Sequence, residues 1–168
     1  MRNLIINPGS TSTKIAIYEN DELIKKESIR HSAKKLKRFD DINSQLHFRK
    51  KVVLEFLHNE NISLNSIDGF IGRGGLMKPL KSGIYQVNDK MIDDLSTAKY
   101  GEHASNLGAL ITKELADSVN KPAFIADPVV VDEMSSVAKI SGLNGISRRP
   151  LWHALNKKAI RRRYDASK

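Results

Sequence analysis

The stretch Asn3-Leu4-Ile5-Ile6-Asn7-Pro8-Gly9-Ser10-Thr11-Ser12-Thr13-Lys14-Ile15-Ala16-Ile17-Tyr18-Glu19 decides the fold: an apolar strand runs into a hydroxyl-rich turn and out into a second strand. Pro8 lacks an amide hydrogen and Gly9 tolerates positive φ, so the pair turns the chain sharply. Ser10, Thr11, Ser12 and Thr13 add their hydroxyls to the backbone donors of the turn, a composition that suits an anion such as phosphate. A plain polar hairpin between two β-branched strands accounts for the same residues, so the loop needs corroboration elsewhere in the chain. It is not a Walker loop. That motif needs a glycine directly before the lysine, where Thr13 stands, and a helix after it, where Ile15, Ala16, Ile17 and Tyr18 favour a strand.

Working outward, a third short strand is expected from Leu23 to Ile29. Phe39, Ile42, Leu46, Phe48, Val52, Val53, Phe56 and Leu57 then recur at helical spacing and predict a long amphipathic helix from about Asp40 to Asn59. Ile67 to Ile71 reads as a buried strand ended by Gly72, which leaves Arg73 at a strand end among glycines. A strand over Gly83 to Val87 and a helix over Asp89 to Ser96, capped by Asn88, come next. Leu107, Leu110, Ile111, Leu115 and Val119 form one stripe of a second long helix, Ala104 to Ser118. Pro122 opens a strand over Ala123 to Ala126, with Asp127 at its exit. A short helix is expected within Val129 to Lys139, a turn at Gly142 to Gly145, and a terminal basic helix over Leu151 to Tyr164.

The 168 residues suffice for one domain with a sizeable core, burying roughly 70% of the unfolded surface. With no cysteine, disulfides and thiolate metal sites are excluded. Met1 leads directly into a strand without a basic leader, and no apolar run approaches the ~20 residues of a membrane span, so a soluble cytoplasmic protein with no membrane partner is expected. The net charge of +9 raises nucleic acid as a partner. Its cations, however, are scattered over Lys25-Lys26, Lys34-Lys35-Lys37-Arg38, Arg49-Lys50-Lys51 and Arg161-Arg162-Arg163, without interleaved aromatics. Solvated surface is the expected role of these clusters.

The run INPGSTSTKIAIYE resembles the N-terminal phosphate signature of the acetate and butyrate kinases, and its proline and STSTK form are closer to butyrate kinase. Four further segments resemble butyrate kinase in the same order: 71–76, 101–108, 123–133 and 148–156. The resemblance implies an α/β fold of the ribonuclease H-like, actin-like ATPase kind, a mixed sheet opening on three strands with helices packed on it. It also implies transfer of the γ-phosphoryl group of ATP, with Mg²⁺, to a short-chain carboxylate, giving an acyl phosphate. In that reading Asn7 lies near the transferring phosphoryl group, with Ser10, Thr11, Ser12 and Lys14 binding phosphate in the same loop. Arg73 matches the arginine that holds the carboxylate, where a planar fork suits two oxygens. Asp127 matches the aspartate associated with magnesium or the reacting phosphate. His103 and Asn106, one helical turn apart, match substrate-side contacts facing one cleft, with Ser105 free to cap the helix. His153 matches a cleft histidine and Trp152 a wall for the aliphatic tail, although a lone aromatic on a helix is equally at home in a core. Asp132 and Glu133 are read as acids offsetting a helix dipole.

Family members are about twice this long, and their second domain supplies the adenosine site. The chain over 1–168 is thus expected to be the first domain alone, inert without a missing C-terminal domain or a homo-oligomer partner. A ribonuclease H-type nuclease would need an acid on the first strand, where Asn7 stands. A noncatalytic basic module binding nucleic acid or a partner lobe is the other alternative.

Overall fold

A computed structural model of the chain describes residues 1–167. Six strands form one sheet in the order β3-β2-β1-β4-β6-β5. The N-terminal meander is β1 (Arg2–Pro8), β2 (Ser12–Glu19) and β3 (Glu22–Arg30). β4 (Gly69–Arg73) pairs parallel to β1, β6 (Ala123–Ala126) pairs parallel to β4, and β5 (Ile84–Gln86) closes that edge antiparallel. Parallel neighbours bring the carboxyl ends of β1, β4 and β6 to one edge of the sheet.

Strict alternation explains which face is covered. Leu4 and Ile6 of β1 and Thr13, Ile15 and Ile17 of β2 are buried, while Asn7 and Lys14 point the other way. Against the buried face lie α2 (Leu46–Asn59) and α4 (Asn106–Asp117), with α3 (Asp89–Ser96) packed on α4. Val53 and Phe56 of α2 and Leu107 and Ile111 of α4 meet Leu4, Ile6, Phe70 and Ile125 in one core. At the far edge β3 is almost wholly exposed and carries Glu22, Lys25, Lys26 and Glu27, charges that discourage a second chain from adding to it.

One contact fixes α4 beneath the strand ends. A Cβ on Gly72 would collide with the Gly108 carbonyl, and one on Gly108 with the Arg73 carbonyl, so backbone rides directly on backbone.

The sequence reading needs correction at several boundaries. The first long helix begins at Leu46 after a 3₁₀ turn at Asn43–Gln45, not at Asp40. Asp41 and Ser44 hydrogen-bond each other instead: the Ser44 N–H donates to Asp41 Oδ1 at 2.6 Å and the Asp41 N–H to Ser44 Oγ at 3.3 Å. A short helix, α1 (Ala33–Leu36), capped by Ser32, lies where none was expected. β4 starts two residues late because a 3₁₀ turn at Leu64–Ser66 precedes it. The segment after β6 holds only a 3₁₀ turn, Val137–Lys139. The final helix, α5, spans Ala154–Ala166, so Trp152 precedes it and forms an isolated bridge with Val130. No helix among the described residues is long and apolar enough to cross a membrane.

Candidate active site

The three strand ends carry the three expected reactive side chains. Ile6 pairs with Gly72 and Arg73 with Ala126, so Asn7, Arg73 and Asp127 occupy neighbouring places along one edge. Arg73 Nη2 is 3.5 Å from Asp127 Oδ2, a long contact between two largely buried side chains. Burial pulls the Arg73 pKa below its ordinary value, and the Asp127 charge opposes that.

Asp127 leaves β6 with φ +47°, a left-handed conformation that aspartate adopts more readily than most residues. The bend turns its carboxylate onto the start of α5, where Oδ1 accepts the Leu155 N–H at 3.0 Å. His153 closes the group: its Nδ1 is 3.3 Å from the Asp127 carbonyl oxygen and 3.5 Å from Oδ2. Both oxygens only accept, so Nδ1 carries the proton and neutral His153 presents an unprotonated Nε2. Burial and the Arg73 charge lower the His153 pKa from its ordinary value, against the opposing pull of Asp127.

His103 has the opposite tautomer. Its Nδ1 accepts the Ser105 N–H at 3.2 Å and lies 2.7 Å from Ser105 Oγ, which leaves an exposed Nε2–H donor. Two expectations at this turn fail. Ser105 engages His103 and makes no cap, and Asn106 does not share a cleft with His103. Asn106 is fully buried, its Oδ1 accepting the Leu76 N–H and its Nδ2 donating to the Gly101 carbonyl, both at 2.9 Å. That amide clasps the loop after β4 to the loop before α4. Trp152 is 37% exposed, with Lys157 Nζ 4.7 Å above its ring. Asp132 and Glu133 head no helix; they pair with Lys139 and Lys158.

The hydroxyl-rich turn divides into two sides. Ser10 and Thr11 are exposed, and Thr11, Ser12, Lys14, Ser28 and Arg30 line an open cleft of about 570 Å³. Ser12 pairs with Arg30 and Lys14 with Ser28 across the strands, which sets all four on one face. Thr13 departs from expectation, since it is fully buried and its hydroxyl meets His31 Nε2 at 2.8 Å and Arg49 Nη1 at 3.2 Å.

Arg49 is the residue that sequence reasoning missed. Grouped with Lys50 and Lys51 as solvated surface, it is fully buried beneath the turn. Its helical phase was the available signal: Arg49 precedes Val53 and Phe56 by four and seven positions, on the apolar stripe of α2.

For a divalent cation, the described residues hold no group of three or more His, Asp or Glu side chains able to grip one. Magnesium needs less, since it keeps several waters and takes one or two carboxylates with substrate phosphates. Asp127 Oδ2, with only contacts of 3.5 Å, suits that role.

No family model matches the chain. It is 51% identical to butyrate kinase 1 of Clostridium acetobutylicum over 97% of its own length and 46% of the relative's. To butyrate kinase 2 of the same organism it is 48% identical over 96% and 45%. The chain thus spans about half the length of the curated relatives it matches. Among solved structures it superposes on Porphyromonas gingivalis acetate kinase with a TM-score of 0.62 at 13% identity, covering 95% of this chain and 48% of that one, and so has the actin-like ATPase fold. Identity near one half across almost every residue makes the chain a homologue of the butyrate kinases over about half of their length.

Proposed function

We propose that the chain is one lobe of a short-chain carboxylate kinase, acting on butyrate or a branched relative and ATP. The single observation that carries this reading is the alignment of Asn7, Arg73 and Asp127 on three adjacent parallel strand ends, beside a turn whose Ser10 and Thr11 N–H groups have no acceptor among the described residues. In the reaction a carboxylate oxygen forms a bond to the γ-phosphorus as the bond to the ADP oxygen breaks. No proton has to move, so the protein's task is to hold two anions in line against their repulsion.

Each residue has a part suited to that task. Arg73 exchanges its long contact with Asp127 for the two oxygens of the carboxylate. Asn7, with the backbone and hydroxyls of Ser10, Thr11 and Ser12, cradles the phosphoryl group, and Lys14 adds a positive charge. Asp127 would hold a magnesium ion, which would offset phosphate charge. His153 and Trp152 border the acid, while Asn106 holds the two loops that frame it. The remaining half of the relatives' length supplies the opposite wall, so the present chain alone is expected to be inert.

A hydroxamate assay with acids of two to five carbons, run with and without the remaining half supplied in trans, tests the proposal. Acyl phosphate should form only with both halves. Arg73→Lys should raise KM for the acid by roughly tenfold or more, because a point charge replaces a fork. Unchanged KM in that variant would remove Arg73 from the site.

A further inference from the structure

We propose that Arg49 is the positioning residue of the turn at 9–13, holding the Ser10 and Ser12 carbonyls toward the core so that the Ser10 and Thr11 N–H groups stay free for phosphate. The inference rests on reading this turn as a phosphate site and names what shapes it.

Three successive carbonyls at the apex, those of Ser10, Thr11 and Ser12, are occupied from within. The Ser12 carbonyl accepts from Arg49 Nη1 at 3.0 Å and from the Gly9 N–H at 2.8 Å. The Thr11 carbonyl accepts the His31 N–H at 2.8 Å, and the Ser10 carbonyl lies 3.4 Å from Arg49 Nη2. By contrast, the N–H groups of Ser10 and Thr11 have no acceptor among the described residues. A carbonyl turned outward would repel an anion, whereas successive free N–H groups form a concave donor site.

The guanidinium is itself held in place. Gln45, one turn earlier on the way into α2, accepts from Nε at 3.0 Å and from Nη2 at 2.9 Å. Among the described residues no carboxylate pairs with it, so a fully buried cation is met by neutral oxygens. An arginine whose hydrogen bonds all lead to the turn, or to the residue that orients it, acts on the turn. A lysine could not reproduce this, since only a planar fork spans Ser12, Thr13 and Gln45 together.

The experiment is a titration of the chain with inorganic phosphate, followed by amide resonances, in wild type, Arg49→Lys and Gln45→Met. In wild type the Ser10 and Thr11 amides should move on titration. In Arg49→Lys they should start from altered positions, and phosphate should bind at least fivefold more weakly, with Gln45→Met in between. A purely structural role would lower stability without displacing those two resonances in the folded protein. Folded Arg49→Lys with wild-type affinity and wild-type Ser10 and Thr11 shifts would overturn the proposal; should that variant fail to fold, an unaltered Gln45→Met does so. A wild-type turn indifferent to phosphate would sink the proposal as well. Failure of the kinase reading looks different: phosphate binding still depends on Arg49, while no acid is phosphorylated with both halves present.

Discussion

Asp127 carries two duties that substitution can separate. Its Oδ1 anchors the first turn of α5 through the Leu155 N–H, and its Oδ2 faces Arg73 and His153. Asp127→Asn keeps an acceptor oxygen and tolerates φ +47°, so its urea midpoint should correspond to a loss within about 1 kcal/mol, while acyl phosphate formation by the combined halves disappears. Asp127→Ala should lose activity and a further ~2 kcal/mol, from the missing acceptor and the left-handed backbone, and expose α5 to limited proteolysis. Retained activity in Asp127→Asn would count against a charged role. Asn7, Arg73 and Asp127 were legible beforehand because each follows a short apolar run, and a strand end is a readable landmark. The Thr13–His31–Arg49 cluster was not, because its members lie on β2, just after β3 and on α2, and the helical phase that marks Arg49 as inward-facing does not tell which groups it meets.

Among the elements, long stripes were read well and their ends poorly. α4 was recognised by its apolar positions, yet its first turn is 3₁₀-like, with the Asn106, Leu107 and Gly108 N–H groups each reaching three residues back. That tightening sets Asn106 inward and His103 outward, which helical spacing alone did not foresee. α3 shows the opposite case, since its start was written in one residue. Asn88 Oδ1 accepts the Met91 N–H at 3.0 Å. Asn88→Ala should therefore lower unfolding free energy by about 1 kcal/mol in urea, and Asn88→Asp should leave it nearly unchanged. Equal stability of all three proteins would show that packing of α3 on α4, not the cap, holds it.

At the level of the whole molecule, many of the cations are paired locally. Lys25, Lys50, Lys113, Lys139 and Lys158 each face an acid, and Arg49 is inside. Stability should respond to pH chiefly through the interior. Burial, with Arg49 and Lys35 nearby, pushes His31 from 6.5 down to about 4, so the folded protein keeps that ring neutral. The unfolded chain takes up the proton first as pH falls. The His31 contribution is therefore complete above pH 6.5 and lost on descending to about pH 4, a change of about 3 kcal/mol. Urea midpoints across that interval should slope upward with pH in wild type and flatten in His31→Gln; parallel slopes would place the titration elsewhere. The interlocked backbone at Gly72 and Gly108 has a consequence for any sequencing-based tolerance survey of this chain. Both positions should emerge as columns admitting a single letter although neither touches a ligand, whereas Gly142 and Gly145, with open space around them, should be restrained by their positive φ alone and admit asparagine. Intolerance at 72 and 108 would then record two main chains in contact, and ranking sites by depletion alone would mistake a structural rivet for a reactive centre.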